Sequence, residues 1–164
     1  DRFEKWHNKQ IDLLTFCINL NFTISIAIAG HDYIEDFRNY VSKLGLTPYV
    51  DIYGPTLNIA EAYKTSDFFC LPSLFEGFPN VLCEAISSGL PSACSNVCDN
   101  PYIIGKIDGG IMFNPLDVAD MATKLKQLIS ISNEEWQQYS IKNRHVAEEL
   151  FSQEAFINKY CKLL

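Results

Sequence analysis

Two glutamates frame the segment of this chain whose residue types are best suited to chemistry. Residues 72–84 read PSLFEGFPNVLCE, so Glu76 and Glu84 lie eight positions apart with a glycine-proline turn between them. Such a turn exposes backbone N–H groups, which bind phosphate, beside carboxylates, which accept hydrogen bonds from hydroxyls. The segment therefore predicts a site for a ligand with a phosphate at one end and hydroxyls at the other, as in a nucleotide-sugar.

Each part of the segment has a predicted task. A helix is predicted over 79–88, with Pro79 at its first position, where a missing N–H costs nothing. The free N–H groups of the first turn and the helix dipole can hold a diphosphate without a basic side chain. Gly77 has no Cβ and lets the backbone approach the ligand. Glu76 precedes the helix, near the phosphates, whereas Glu84 can reach along the crevice to a ribose diol.

The alternative structural interpretation is that Glu76 is an ordinary turn carboxylate and Glu84 a solvated helix residue. The neighbours of Glu84 argue against it, because Val81, Leu82 and Ile86 make this helix strongly apolar. A charge among such neighbours favours a binding partner.

Apolar runs alternate with helical patterns along the chain, and this order predicts a parallel sheet with helices on both faces. The predicted strands are 23–29, 49–53, 67–71, 92–95 and 110–113. The predicted helices are 10–20, 32–44, 58–64, 79–88, a short one that Asn100-Pro101 begins near 102–105, 117–129, 133–150 and one starting at Ser152. The fold class is α/β, a doubly wound, Rossmann-like parallel sheet. Ligands bind such sheets beyond the carboxyl ends of the strands, which is where residues 72–84 fall.

Local signals predict where several elements begin and end. They are a capping box at Ser132 and Glu135, an Asp117 cap, helix stops at Gly45 and Gly89, and a core-facing stripe of Ile34, Phe37, Val41 and Leu44.

Composition limits the class of protein. The chain has 164 residues, is 48% hydrophobic and carries a net charge of −7, which favours one globular domain over residues 1–164, with C-terminal helices over 133–164. The acidic charge argues against nucleic acid and against docking on an anionic membrane. No apolar run is long enough to span a bilayer and no signal-peptide pattern opens the chain, so a cytoplasmic location is expected.

The cysteines and histidines give weak signals. The six cysteines form no CxxC pair, and free thiols in a reducing compartment are the expected state. Cys94 and Cys98 are spaced for metal binding but lack partners. His7, His31 and His145 have no neighbours that indicate nucleophilic catalysis, and no catalytic role is assigned to them.

Residues 67–91, DFFCLPSLFEGFPNVLCEAISSGLP, resemble the signature of the retaining, two-Rossmann-domain (GT-B) glycosyltransferases, and within them glycosyltransferase family 4, the group 1 glycosyltransferases. The resemblance runs from about Lys9 to Ile129. It implies the C-terminal, donor-binding half of a GT-B fold. A first helix with no preceding strand leads us to expect that the N-terminal acceptor domain is absent from this chain.

The resemblance also implies roles for individual residues. Glu76 would be the catalytic residue that binds the transferred sugar's hydroxyls, and Glu84 would bind the ribose. The backbone amides of Gly77, Phe78 and Asn80 would hold the sugar and diphosphate, Tyr53 and Gly54 would border the nucleobase, and Arg2 and Lys9 would neutralise the leaving diphosphate. No cofactor and no metal are expected, because these cations and the helix end replace a metal.

Two departures from the family pattern weaken particular assignments. The spacing from Arg2 to Lys9 is slightly longer than usual, which favours Lys9 over Arg2. Residues 97–100, Val-Cys-Asp-Asn, stand where the family often has a Gly-Gly turn, so the contacts of that loop are in doubt.

The implied function is retaining transfer of a hexosyl group from a nucleotide-diphosphate sugar to a sugar or lipid-linked acceptor, in surface polysaccharide biosynthesis. The expected partners are the donor and the missing N-terminal domain. Any membrane contact would go through that domain, and the isolated chain is expected to be inactive. Two alternatives stay open: a nucleotide-sugar epimerase or phosphorylase of similar build, and a non-catalytic nucleotide-sugar-binding module.

Overall fold

The computed structural model describes residues 24–27, 34–53 and 58–161. Contacts divide the chain into two compact units, Asp1–Ile59 and Ala60–Leu164, which we describe separately. A single domain over residues 1–164 is expected from the sequence, and this expectation stays a prediction. The described part of the first unit has strand β1 (Ile24–Ala27), helix α1 (Ile34–Lys43), a 3-10 turn (Thr47–Tyr49) and strand β2 (Val50–Tyr53). The two strands pair in parallel, with Ile24 opposite Val50 and Ala27 opposite Tyr53.

The end of α1 corrects one predicted core residue. Gly45 adopts a left-handed φ of 69°, and the N–H of Leu46 bonds the carbonyl of Val41 at 3.0 Å, as in a Schellman motif. This reversal places Leu46 in the core beside Phe37 and Val41, while Leu44 is 43% exposed. Leu44 was therefore wrongly assigned to the apolar stripe, because the helix ends before it.

The second unit continues the alternation of strands and helices. Its elements are α2 (Ile59–Lys64, which begins at the boundary), β3 (Phe69–Leu71), α3 (Asn80–Ser87), β4 (Ser92–Ser95), α4 (Asn100–Ile104), β5 (Ile111–Phe113), α5 (Val118–Ile129), α6 (Asn133–Leu150) and α7 (Gln153–Cys161). The sheet order is β3-β4-β5 and both pairings are parallel. All four residues of β4 are buried, as expected of a central strand. These parallel strands, joined through helices, confirm the α/β, Rossmann-like class.

One apolar face of α3 fixes this helix in the core. Its Leu82 and Ile86 are fully buried and cluster with Cys94 of β4, Ile103 of α4 and Ala147 of α6. Full burial stabilises a leucine or isoleucine side chain by about 1.5–3 kcal/mol, so these contacts hold the helix in place. The opposite, exposed side of α3 is left free for other contacts.

Both buried thiols of this core are held protonated. Burial raises the pKa of Cys94 to about 12. Burial and then the charge of Glu84 raise the pKa of Cys83 to about 11. These cysteines therefore act as small apolar side chains. Among the described residues, none of the cysteines at positions 70, 83, 94, 98 and 161 forms a disulfide.

The predicted caps of α5 and α6 are confirmed. The Asp117 side chain accepts from the N–H groups of Ala119 and Asp120. Ser132 and Glu135 form the reciprocal capping box.

Other element ends differ from prediction. Pro79 caps α3 instead of occupying its first position, and Tyr49 belongs to the 3-10 turn instead of β2. At each of these ends the local backbone conformation overrides the residue preference that guided the prediction. No helix within the described ranges is both long and apolar enough to cross a bilayer.

Candidate functional site

The segment with the two glutamates leaves the carboxyl end of β3 and is anchored there to β4. The hydroxyl of Ser95, a fully buried residue, lies 3.1 Å from the carbonyl oxygen of Leu71 and also donates to the carbonyl oxygen of Ser73. Because Ser95 belongs to the central strand, its hydroxyl ties the start of the loop to the rigid sheet. The loop that follows thus begins from a defined position.

Ser73 in turn holds the first glutamate. Its hydroxyl donates a hydrogen bond to Oε1 of Glu76, and both residues are half-buried. A carboxylate fixed through one oxygen keeps the other available to a ligand. The sequence analysis did not single out Ser73. The Ser-x-x-Glu spacing was the signal, since short hydroxyl side chains commonly bond groups three residues away.

The entrance to α3 contains a tight turn around Pro79. Its φ of −82° and ψ of 78° are those of an inverse γ-turn, and the N–H of Asn80 donates to the carbonyl oxygen of Phe78 at 3.0 Å. Of the three amides predicted to hold the ligand, that of Asn80 is thus already engaged. A ligand would have to compete for it.

Three other N–H groups at this entrance are available. Within the described residues, those of Gly77, Phe78 and Val81 have no hydrogen-bond acceptor. All three residues are exposed, and a Cβ added to Gly77 would meet nothing within 4 Å. The loop therefore presents amide donors to open space between the two carboxylates. Such donors at the positive end of a helix suit an anion.

The second glutamate is held from α2. The hydroxyl of Tyr63 donates to Oε2 of Glu84 at 3.1 Å and lies 3.4 Å from the carbonyl oxygen of Val81. Tyr63 is only 7% exposed, whereas Glu84 faces solvent. Burial, and then the negative charge of Glu84, raise the pKa of Tyr63. The phenol therefore stays protonated and remains a donor to the carboxylate.

Neither glutamate is neutralised by a cation in the part of the chain that the structure describes. No lysine, arginine or histidine there lies within ion-pair distance of Glu76 or Glu84. Among the described residues, each carboxylate has one hydroxyl partner, Ser73 for Glu76 and Tyr63 for Glu84. The site thus combines amide donors for an anion with two carboxylates that can accept from ligand hydroxyls.

Comparison with known proteins assigns the chain that contains this site to a family. Residues 2–130 match the family "Glycosyl transferases group 1". The chain belongs to this family. The glycosyltransferase resemblance of residues 67–91 is thereby confirmed.

Individual relatives extend the assignment. The chain is 33% identical over 86 residues to the O-antigen chain mannosyltransferase B of Escherichia coli, covering 52% of this chain and 22% of that protein. It is 26% identical over 113 residues to the UDP-Gal:alpha-D-GlcNAc-diphosphoundecaprenol alpha-1,3-galactosyltransferase of Escherichia coli, covering 68% of this chain and 28% of that protein. The chain thus spans less than a third of either curated relative.

A solved structure confirms the fold. The C-terminal domain of the group 1 glycosyl transferase LpcC from Francisella tularensis superposes with a TM-score of 0.73 at 18% identity, covering 92% of this chain and 82% of that one. This likeness agrees with the C-terminal half of a GT-B fold.

Several predicted site residues of this glycosyl transferase lie beyond the described geometry. Arg2, Lys9 and Gly54 fall outside the described residues, as do His7 and His31. Tyr53 is the last residue of β2, and its side chain is not described. Their assignments to the diphosphate and the nucleobase stay predictions.

The loop that departs from the family pattern contains one uncommon backbone conformation. Cys98 has a φ of 50°, in the left-handed region that glycine adopts more easily. Next to it, the buried Asn100 donates from Nδ2 to the carbonyl oxygen of Ser95 at 2.9 Å. Asn100 thereby supports the same strand end that anchors Ser73.

Within the described ranges, no group of three or more His, Cys, Asp and Glu side chains is placed to hold a metal ion. His145 is exposed on α6 and lies 3.8 Å from Oε2 of Glu148.

Proposed function

We propose that this chain is the donor-binding half of a retaining hexosyltransferase that uses a nucleotide-diphosphate sugar. The observation that carries the proposal is the β3–α3 segment, in which unpartnered amides stand between two solvent-accessible carboxylates, each held by one hydroxyl. That arrangement offers donors to a diphosphate and acceptors to hydroxyls on either side. The family assignment supports it independently.

Each group has a distinct role in the proposed complex. Glu76 accepts from hydroxyls of the transferred sugar. The amides of Gly77 and Phe78 and the start of α3 bind the diphosphate. Glu84 accepts from the two ribose hydroxyls. Tyr53 and Gly54 border the nucleobase, and Lys9, with Arg2, neutralises the leaving group.

The proposed reaction proceeds on one face of the sugar. The bond between the anomeric carbon and the β-phosphate oxygen breaks, and the acceptor oxygen bonds the same face of that carbon. The acceptor's proton passes to the departing phosphate oxygen, so the products are a glycoside of retained configuration and a nucleoside diphosphate. Amides already oriented toward the diphosphate stabilise its developing charge without reorganising. With this arrangement the reaction needs no metal ion. Transfer that persists in the presence of a chelator would support this.

The proposed acceptor is a sugar or a lipid-linked sugar in surface polysaccharide assembly. Support comes from the relatives, whose names specify an O-antigen chain and a diphosphoundecaprenol-linked sugar. The chain covers 22% of the first relative and 28% of the second. We therefore expect this chain alone to bind a donor in the cytoplasm and to transfer nothing. Transfer by the isolated chain to a lipid-linked disaccharide would contradict this.

Nucleotide titration of the chain, followed by NMR or calorimetry, tests the donor site. UDP, GDP and ADP would be compared with their glucose, galactose and mannose conjugates. Glu84→Ala should weaken the best nucleoside diphosphate about tenfold or more, since a hydrogen bond to a charged group contributes about 1.5–3 kcal/mol. Glu76→Gln should weaken the sugar conjugate but leave the diphosphate itself unchanged.

Glu149→Ala, which removes an exposed carboxylate from α6, is the matched control and should change nothing. The donor-site proposal fails if Glu84→Ala binds every ligand as well as the wild type. An altered sugar in the recovered nucleotide-sugar would instead indicate an epimerase. Binding without any transfer in a longer chain that carries the acceptor half would indicate a non-catalytic module.

A further inference from the structure

Tyr63 is unusual among the side chains near the candidate site. It is the one buried residue of α2 among those described, and its ring meets that of Phe69 in β3 edge to face, with centroids 6.0 Å apart and planes at 74°. Such a contact fixes both the position and the plane of the phenol ring. The hydroxyl at its tip is therefore held by the sheet and cannot follow the motions of an exposed side chain.

That fixed hydroxyl points at the glutamate assigned to ribose. Its shortest contact, 3.1 Å, is to Oε2 of Glu84, and the carbonyl oxygen of Val81 is farther, at 3.4 Å. Within the described residues, Oε1 of Glu84 has no hydrogen-bond donor. One carboxylate oxygen is thus tied to the core, and the other faces solvent.

We infer that Tyr63 is a positioning residue, whose hydroxyl fixes the Glu84 carboxylate through Oε2 so that Oε1 meets the ribose diol of a nucleoside diphosphate. The inference rests on the proposed role of Glu84. It adds to the proposed site a residue that does not contact the ligand. This residue holds the Glu84 carboxylate in the orientation in which it accepts hydrogen bonds from the ribose.

The physical reason is conformational entropy. A free glutamate side chain rotates about three bonds, and ordering it on binding opposes the association. A hydrogen bond to a phenol that is already fixed in the core imposes much of this order beforehand, as preorganisation does in general. The benefit falls on hydroxyls that bond the carboxylate and on no other part of the ligand. It should therefore appear as discrimination between ribose and a sugar without hydroxyls.

The test uses UDP, GDP and ADP and the 2′,3′-dideoxy form of each, titrated by NMR into the chain. For the base that binds best, we expect the wild type to prefer the ribose form about tenfold. Tyr63→Phe, which keeps the ring, should reduce that preference to about threefold and leave dideoxy binding unchanged. Tyr63→Phe in a Glu84→Ala background, which has no side-chain acceptor at position 84, should change the preference no further.

Tyr139→Phe serves as the matched control. Tyr139 lies on α6, and its ring packs against Gly109, which precedes β5. This variant should keep the full tenfold preference for ribose.

The remaining outcomes separate the inference from the proposed function. If Glu84→Ala loses the preference while Tyr63→Phe keeps it, the positioning role is wrong and the donor site stands. If Tyr63→Phe weakens ribose and dideoxy ligands equally, Tyr63 is only structural and the inference fails. If Glu84→Ala keeps the preference, or no nucleoside diphosphate binds, the proposed function fails and the inference fails with it.

Discussion

Gly77 is the single residue at which the site can be tested with the least disturbance of the fold. A Cβ at this position meets nothing within 4 Å, and its φ lies outside the left-handed region. We expect Gly77→Ala to leave the free energy of unfolding unchanged or raise it by about 0.5 kcal/mol, because alanine restricts the unfolded chain. The new methyl group would nevertheless stand where a diphosphate approaches the amide. Nucleoside diphosphate affinity should therefore fall about tenfold, measured beside urea unfolding, and unchanged affinity would remove Gly77 from the site.

Cys98 offers a prediction about backbone strain. Its φ of 50° costs a non-glycine residue about 1–2 kcal/mol, and glycine recovers this at the expense of about 0.5–1 kcal/mol of unfolded-state entropy. Cys98→Gly should thus raise the free energy of unfolding by a few tenths to about 1 kcal/mol, read from urea denaturation. Cys98→Ser, which keeps the strain, is the control and should match the wild type. A destabilised Cys98→Gly would show that the thiol makes a contact worth more than the strain.

Individual side chains were predictable from sequence when their partners are near in the chain. Asp117 and Ser132 bond groups two or three residues away, and their caps were predicted from the residue types alone. Tyr63 was missed, because its partner Glu84 lies 21 positions along the chain and only the packing of α2 and α3 brings the two together. The prediction that Leu44 faces the core was wrong for a local reason. Its spacing from Val41 fits the apolar stripe, but the helix ends one residue before it, at Lys43.

At the scale of elements, the capping box of α6 links stability to pH. Hydrogen bonds from the backbone N–H and the hydroxyl of Ser132 lower the pKa of Glu135. A lowered pKa stabilises the folded state above the unfolded pKa, and that stabilisation is lost as the pH falls through the folded value. The helix should therefore lose its cap on acidification.

The prediction is that Glu135→Gln, which can still close the box, makes unfolding less sensitive to pH between neutrality and acid. Ser132→Ala should lower the free energy of unfolding by about 1 kcal/mol at neutral pH. Both are measured by urea denaturation followed through helical circular dichroism at a series of pH values. Glu134→Gln, one residue earlier and outside the box, is the control. An identical pH dependence in the wild type and Glu135→Gln would contradict the assignment.

Strand and helix order was predictable at this scale, whereas element ends were less so. Apolar runs marked β3 and β5, whereas a short run of small residues marked β4, the strand that is buried along its whole length. Their ends fall up to two residues from the predicted ones, as at β3, which starts at Phe69 where Asp67 was expected. Pro79 shows the reason. Its ring restricts φ to values that also occur in a helix, but its ψ of 78° forms a γ-turn, so Pro79 precedes the helix and is not its first residue.

At the scale of the whole molecule, the residues proposed to bind the donor are distributed over both compact units of the chain. Residues from 58 onward contain the three-stranded sheet, its core, and all of Tyr63, Glu76, Glu84 and the α3 entrance. Tyr53, Gly54, Lys9 and Arg2 belong to the first unit. The residues proposed for ribose and sugar therefore belong to the second unit, those proposed for the base belong to the first, and those proposed for the diphosphate are divided between the two.

This division predicts the behaviour of a fragment of residues 58–164. Because its core and hydrogen bonds are contained within it, the fragment should unfold cooperatively in urea. It should bind UDP, GDP and ADP with similar affinities, since the predicted base-bordering residues are absent, whereas the full chain should prefer one base. NMR titration of both proteins measures the difference. A fragment that keeps the preference of the full chain would place base recognition within residues 58–164 and remove Tyr53 and Gly54 from the site, and one that fails to fold would show that the second unit depends on the first.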